Sequence, residues 1–263
     1  MFETRSRLSQ AALQLVLTIA MIPFLIPIYT MVRRSLESRG WGNYIAVFQV
    51  PGFWRFFLNS AIVAVGTISI VLVLTLMGSY GFSKLRIRNR EVYFWMLMVA
   101  LTLPEVVLIA PLYTTFAKLG MMGTFWAVIL PIAALQAPFT VMITRTYMDG
   151  IPNQLLEAAI IDGAGGSRIF WNIIVPLSRP MMVALGVLVL IASWNAYLLP
   201  KVFLANADDM GVVTLLPEFF KRQYSNDYPK LFAATVVIAL PQILAYVLLQ
   251  KQFERGMVAG AIK

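Results

Sequence analysis

"EAAIIDGAGGSRIFWNIIVPLSRP", running from Glu157 to Pro180, is too polar to cross a membrane and too apolar to be a solvated loop. Three of its charges, Glu157, Asp162 and Arg168, and its glycines Gly163, Gly165 and Gly166 fall within twelve positions, yet Ile, Phe and Trp crowd the same stretch. Long apolar runs lie on both sides. The fold and the function of the chain both turn on what such an insert does between membrane-spanning segments.

That the flanks span a membrane follows from composition. Hydrophobic residues make up 60% of the chain and charged residues 13%, against roughly 25% charged in ordinary soluble domains. Six stretches, near residues 11–32, 57–80, 92–113, 124–144, 181–200 and 231–250, are apolar over the length a helix needs to cross hydrocarbon. The expected fold is an all-α membrane protein with six transmembrane helices, a single domain over residues 1–263 and a loop at 145–180. The first stretch is too long for a signal-peptide core and has no small-residue cleavage site after it, so it reads as the first span.

The net charge of +9 reads as topology, not nucleic-acid binding, because the positives sit in short loops beside spans. The densest run is "SKLRIRNR", Ser83 to Arg90. Placing it in the cytoplasm puts Arg5, Arg7, Arg145, Arg168, Arg179, Lys251, Arg255 and Lys263 on the same side, with both termini cytoplasmic. Arg33, Arg34 and Arg39 stay outside, as does the loop around Asp208. Trp41, Tyr44, Phe48, Phe53 and Trp54 suit the membrane–water boundary. "FAKLGMMG", Phe116 to Gly123, reads as a tight external turn. Prolines 23, 27, 104, 111, 131, 138 and 241 fall inside spans, where each removes a backbone donor and tends to kink a helix.

Chemistry is narrowed by absence. Without Cys there is no disulfide or thiolate, and without His the commonest metal ligand and general base are gone. "DGAGGSR" is no phosphate loop, since its glycines are not followed by Lys and then Ser or Thr. No cofactor is expected on this chain. The stretch reads instead as helix–turn–helix. Pro152 suits a first turn. Leu155, Leu156, Ala159 and Ile160 form a face toward the bundle, with Gln154, Glu157, Ala158 and Ile161 opposite. Gly163 leaves the helix through positive φ. Ser167 caps a second short helix carrying Ile169, Phe170, Trp171 and Ile173. Pro176 and Pro180 mark the turn into the next span.

Glu157-Ala158-Ala159, three residues, Gly163, nine residues, then Ile173-Ile174-Val175-Pro176 resembles the EAA loop of permease subunits in binding-protein-dependent ABC importers. The family prefers Leu where this chain has Val175. "NSAIVA", "APLYTTFAKLGMMGTFWAVILP", "SWNAYLLP" and the ending "QKQFERGMVAGAIK" resemble the second permease of the maltose-type carbohydrate group. The resemblance implies a second homologous permease, two copies of an ABC ATPase carrying ATP and magnesium, an extracytoplasmic sugar-binding protein, and a place in a bacterial or archaeal cytoplasmic membrane among lipid. It implies that Glu157, Ala158, Ala159, Gly163, Ile173 and Pro176 couple to the ATPase, with Glu157 meeting a basic group. It also implies that the tail after Gly256 reaches the ATPases.

For the substrate path, Glu105 is a carboxylate inside a span, which usually faces a cavity or a partner. Trp194, Asn195 and Tyr197 offer the aromatic faces and the amide that suit sugars. An ion-gradient-driven secondary transporter is the alternative from another class, but no internal repeat is visible and only Glu105 offers a coupling-ion group. A permease for a non-carbohydrate solute is the alternative within the superfamily. A membrane-embedded enzyme lacks a catalytic group.

Overall fold

In hydrocarbon every backbone N–H and C=O needs a partner within the chain, so long apolar runs become helices. The computed structural model describes residues 7–205, 207, 209–221 and 226–261, with side chains only within 9–250. Arg5, Asp208 and Lys263 lie outside the described residues, as do the side chains of Lys251 and Arg255. The described residues are helical, without strands. The helices are α1 (Arg7–Ser35), α2 (Gly42–Phe48), α3 (Phe53–Ser83), α4 (Arg90–Val99), α5 (Glu105–Lys118), α6 (Trp126–Asp149), α7 (Asn153–Ile161), α8 (Gly166–Ile169), α9 (Val175–Trp194), α10 (Leu198–Phe203) and α11 (Tyr228–Ala261).

Five helical stretches among the described residues are long and apolar enough to span: Ser9–Ser35, Phe53–Ser83, Trp126–Asp149, Gly166–Trp194 and Tyr228–Gln250. The sixth is a broken pair, Arg90–Thr102 and Glu105–Lys118, bent by 100°. The stretch expected as one span at 92–113 is therefore two helices. Pro104 stands at the break, extended at ψ 136° as the cap of α5. The other flagged prolines stay inside helices.

The chain divides into two compact units. One holds Met1–Phe53 and Pro217–Ala239. In it no residue of the apolar stretch of α1 is buried, so its apolar residues all face outward. The turn after α1 is pinned by Asn43, whose Nδ2 donates to the Ser35 carbonyl at 2.9 Å and the Glu37 carbonyl at 2.8 Å. Trp41 is exposed, whereas Phe53 is buried.

The other unit holds Trp54–Leu216 and Leu240–Lys263 and contains every candidate site residue. Within it α3 and α6 share a seam. Small residues bring these helices close: a Cβ on Gly66 would lie 2.8 Å from Ile129. Two hydrogen bonds cross the seam, of the kind membrane interiors favour. Thr75 and Thr140 share a buried hydrogen bond of 2.6 Å, and Ser79 donates to the Val141 carbonyl at 3.2 Å. The turn at Gly120 (φ +67°) closes α5 with the Met121 N–H on the Phe116 carbonyl at 2.9 Å, a tight turn as expected.

Candidate functional site: the elbow and the cavity

The opening stretch folds as an elbow between α6 and α9. Pro152, extended at ψ 131°, caps α7. At the other end of α7, Gly163 has φ +80°. The Ala164 N–H reaches the Ala159 carbonyl at 2.8 Å and the Gly163 N–H reaches the Ile160 carbonyl at 3.0 Å. This pair of bonds is a Schellman turn, which satisfies carbonyls a helix end would leave bare and needs left-handed backbone at one residue. Gly163 fills that need without strain.

The inner face of the elbow is Leu156, Ala159, Ala164 and Phe170, packed with buried Met148, Ile151, Ile169 and Ile174 and with Leu76 and Tyr80 of α3. Leu155 and Ile160, expected on that face, point outward instead. A helix of nine residues has room to seat only the i, i+3 pair Leu156 and Ala159 on so small a core. Glu157 and Ala158 are exposed, beside Ile160, Ile161 (85% exposed) and Trp171 (63%). The elbow thus presents exposed apolar side chains together with the carboxylates of Glu157 and Asp162.

Beyond the turn the structure departs from expectation. Gly165 caps α8, and Ser167 lies within the helix. Pro176 and Pro180 mark no turn, because helix is continuous from Gly166 to Trp194. Residues Phe170–Ile174 form a π-helical segment, and the Val175 N–H bonds the Phe170 carbonyl five residues back. Pro176 has no N–H to give the turn behind it, and the wider π geometry lies immediately before it. Ile173 is half-buried, and Pro176 lines a groove with Leu76, Arg179 and Met182. The loop expected at 145–180 is therefore mostly helix, with α6 running to Asp149.

Polar bonds secure the base of the elbow. Lys84 Nζ donates to the Ile151 carbonyl at 2.7 Å and to Asn153 Oδ1 at 3.0 Å. Ser83 Oγ donates to Asp149 Oδ1 at 2.6 Å. Burial pushes the Lys84 ammonium below the usual lysine range, with Asp149 acting against it. Tyr147 donates to the Leu177 carbonyl at 2.8 Å. Charge density alone marks Ser83–Arg90 as a topology signal; these contacts make its first two residues part of the elbow.

Elsewhere in the same unit is a cavity of about 440 Å³ lined by Leu103, Glu105, Gln136, Asn195, Tyr197 and neighbouring apolar residues. It lies where two helices stop. One is the break at Leu103–Pro104, after which Glu105 begins α5. The other is the end of α9, where Asn195 caps the helix by donating Nδ2 to the Ile191 carbonyl at 2.9 Å. Tyr197 accepts from Lys201 Nζ at 2.5 Å. Three of the four candidates, Glu105, Asn195 and Tyr197, share this cavity. Trp194 does not line it; it is 7% exposed, with its ring 6.3 Å from that of Phe57. The sequence reading missed Gln136, a lone amide in the middle of α6, whose signal is its isolation among apolar residues. Irregular backbone at membrane depth is tolerated where it lines a cavity or is covered by protein.

The family described as "Binding-protein-dependent transport system inner membrane component" matches residues 75–259. The chain belongs to this family. The match takes in the elbow and every cavity residue named above. It sets aside the secondary transporter and the membrane enzyme: this is a multi-pass membrane transport subunit. Relatives include the arabinooligosaccharides transport system permease protein AraQ of Halalkalibacterium halodurans, 32% identical over 84% of this chain and 78% of that one. Another is the sn-glycerol-3-phosphate transport system permease protein UgpE of Yersinia enterocolitica, 32% identical over 83% and 76%. Among solved structures, a chain of a bacterial ABC transporter involved in the import of the acidic polysaccharide alginate matches with a TM-score of 0.78 at 21% identity, covering 96% of this chain and 99% of that one. That likeness establishes the fold.

Proposed function

We propose that this chain, acting as one permease domain over residues 1–263, forms half of the translocation path of an ATP-driven importer for a sugar or sugar derivative delivered by an external solute-binding protein. The observation that carries the coupling mechanism is the elbow: a stem held by hydrogen bonds, a glycine turn, and exposed Ala158, Ile160, Ile161 and Trp171 with the carboxylates Glu157 and Asp162, left uncovered in the chain itself. Exposed apolar surface rimmed by charge marks a protein contact. The partner there is one of two ATPases, with a basic group opposite Glu157 and with ATP and magnesium on its own side. The outward-facing apolar surface of α1 supports contact with lipid and with a second, homologous permease. The named sugar and sugar-phosphate relatives support the carbohydrate class.

In this reading the elbow end faces the cytoplasm, as do both termini, and the cavity of Glu105, Gln136, Asn195 and Tyr197 is the solute's passage. Amides and a carboxylate bond hydroxyls there, and ATP-driven movement of the elbow opens the passage to one side and then the other. The test is to purify the chain with and without its partners. Alone it neither binds nor hydrolyses ATP; with them, hydrolysis rises on adding loaded binding protein, and a label at exposed Arg88 is reached only from the cytoplasm. Hydrolysis by the isolated chain, or a label reached only from outside, overturns the proposal.

A further inference from the structure

The stem of the elbow is held twice, and the second hold leads elsewhere. Ser83 and Lys84 grip residues Asp149, Ile151 and Asn153 at the base. One turn back on α6, Arg145 reaches away to α4. Its Nη2 donates to Glu91 Oε1 at 2.6 Å, and its guanidinium lies 4.1 Å above the centre of the Phe94 ring. Its Nε is 3.9 Å from Asp149 Oδ2. The Arg145 side chain is 15% exposed. A solvent-exposed ion pair contributes little to stability. A planar guanidinium fixed on one side by a ring and at its edge by a carboxylate instead imposes direction on two helices. The helix so held, α4, belongs to the first half of the broken span, and a 3-10 turn, Ala100–Thr102, carries it to the break beside the cavity. A bend of 100° separates the direction of this half from that of α5.

We propose that Arg145 and Glu91 are a positioning pair that passes movement of the elbow into α4, and through it to the break beside Glu105. The inference rests on the elbow being the ATPase-coupling element. Neither residue lines the cavity or belongs to the elbow's exposed residues, so their role is transmission. Loss of the pair separates ATP hydrolysis from transport and leaves docking intact. Coupling between sites is typically worth about 5–150-fold, so the number of ATP hydrolysed per solute carried rises about fivefold or more.

The experiment uses the assembled complex in proteoliposomes. Uptake is followed with radiolabelled arabinotriose, lactose or glycerol 3-phosphate, whichever the wild type carries, and ATP hydrolysis is measured in the same sample. Arg145→Gln and Glu91→Gln, the second nearly isosteric, keep wild-type ATPase recovery and raise the ATP-to-solute ratio. The exchange Arg145→Glu with Glu91→Arg brings the ratio back down. Single variants with a wild-type ratio overturn the inference, even if their melting temperature falls, since that is what a merely structural pair does. So does an exchange that fails to restore the ratio, and so does loss of ATPase recovery in both single variants. A wild-type complex that recruits no ATPase is a different failure, overturning the proposed function itself.

Discussion

The elbow and the cavity are built in opposite ways. The elbow is a contiguous piece of chain: α7, the Schellman turn at Gly163 and α8 follow one another, and each is dictated by residues close by. The cavity collects Glu105 from α5, Gln136 from α6, and Asn195 and Tyr197 from the end of α9 and just beyond. Backbone geometry makes the first. The second exists because two helices stop where a third passes. Damage to the elbow is therefore expected to act through shape and to be nearly all-or-none, whereas damage to the cavity is expected to be partial, one hydrogen bond at a time.

The largest effect is expected from Gly163→Val. An L-residue in left-handed backbone costs about 1–2 kcal/mol, and a β-branched one is an outlier there. No heavy atom lies within 4 Å of the Cβ position, so the strain is conformational and not a clash. The turn shifts, the whole outer face moves with it, and both ATPase pull-down and uptake are abolished at normal membrane levels. Full recovery of the ATPase with Gly163→Val would show that the turn's shape is immaterial.

Glu157→Ala is expected next, since it leaves the shape intact and removes one charge. Truncating one member of a buried charge pair costs about 2–5 kcal/mol. With the elbow geometry unchanged, the low end applies, about thirtyfold in ATPase affinity, measured by titrating the ATPase onto the purified permease. A loss equal to that of Gly163→Val would mean that the single charge, not the shape, carries docking.

In the cavity, Glu105→Gln, Gln136→Ala and Asn195→Ala are each expected to lower uptake about fivefold, the size of one lost hydrogen bond, with ATPase recovery unchanged. Initial rates across a range of solute concentrations check this. Normal rates in all three would remove the cavity from the solute's passage. The smallest effect is expected from Trp194→Phe. Buried against Phe57 and away from the cavity, it costs about 1 kcal/mol of stability and leaves the relative uptake of different sugars unchanged. A changed sugar preference would place Trp194 in the passage after all.

Tyr197 and Trp194 show why the cavity was only partly legible. Both are aromatic and both lie near the end of the same span, yet one lines the cavity and the other packs against a ring on α3. Position in the chain does not decide which way the ending helix turns. Leu155 and Ile160 make the same point on the elbow, where helical periodicity put them inward and a small core left them out. Lys84 and Arg145 read as loop charges, because their partners Asn153 and Glu91 lie 69 and 54 residues away.

What the sequence alone determined is whatever depends on composition and neighbours: apolar runs that must be helical in hydrocarbon, a glycine at the one position of the elbow that needs positive φ, and a motif whose spacing marks the helix–turn–helix between two spans. The tertiary structure alone decided the break at Pro104, the continuous helix through Pro176 and Pro180, and the meeting of Glu105, Gln136 and Asn195. The physical reason is that a proline removes a donor and crowds the preceding turn without dictating the outcome. Whether the helix then breaks, widens into a π turn or runs on depends on which distant groups lie close enough to satisfy the freed carbonyl.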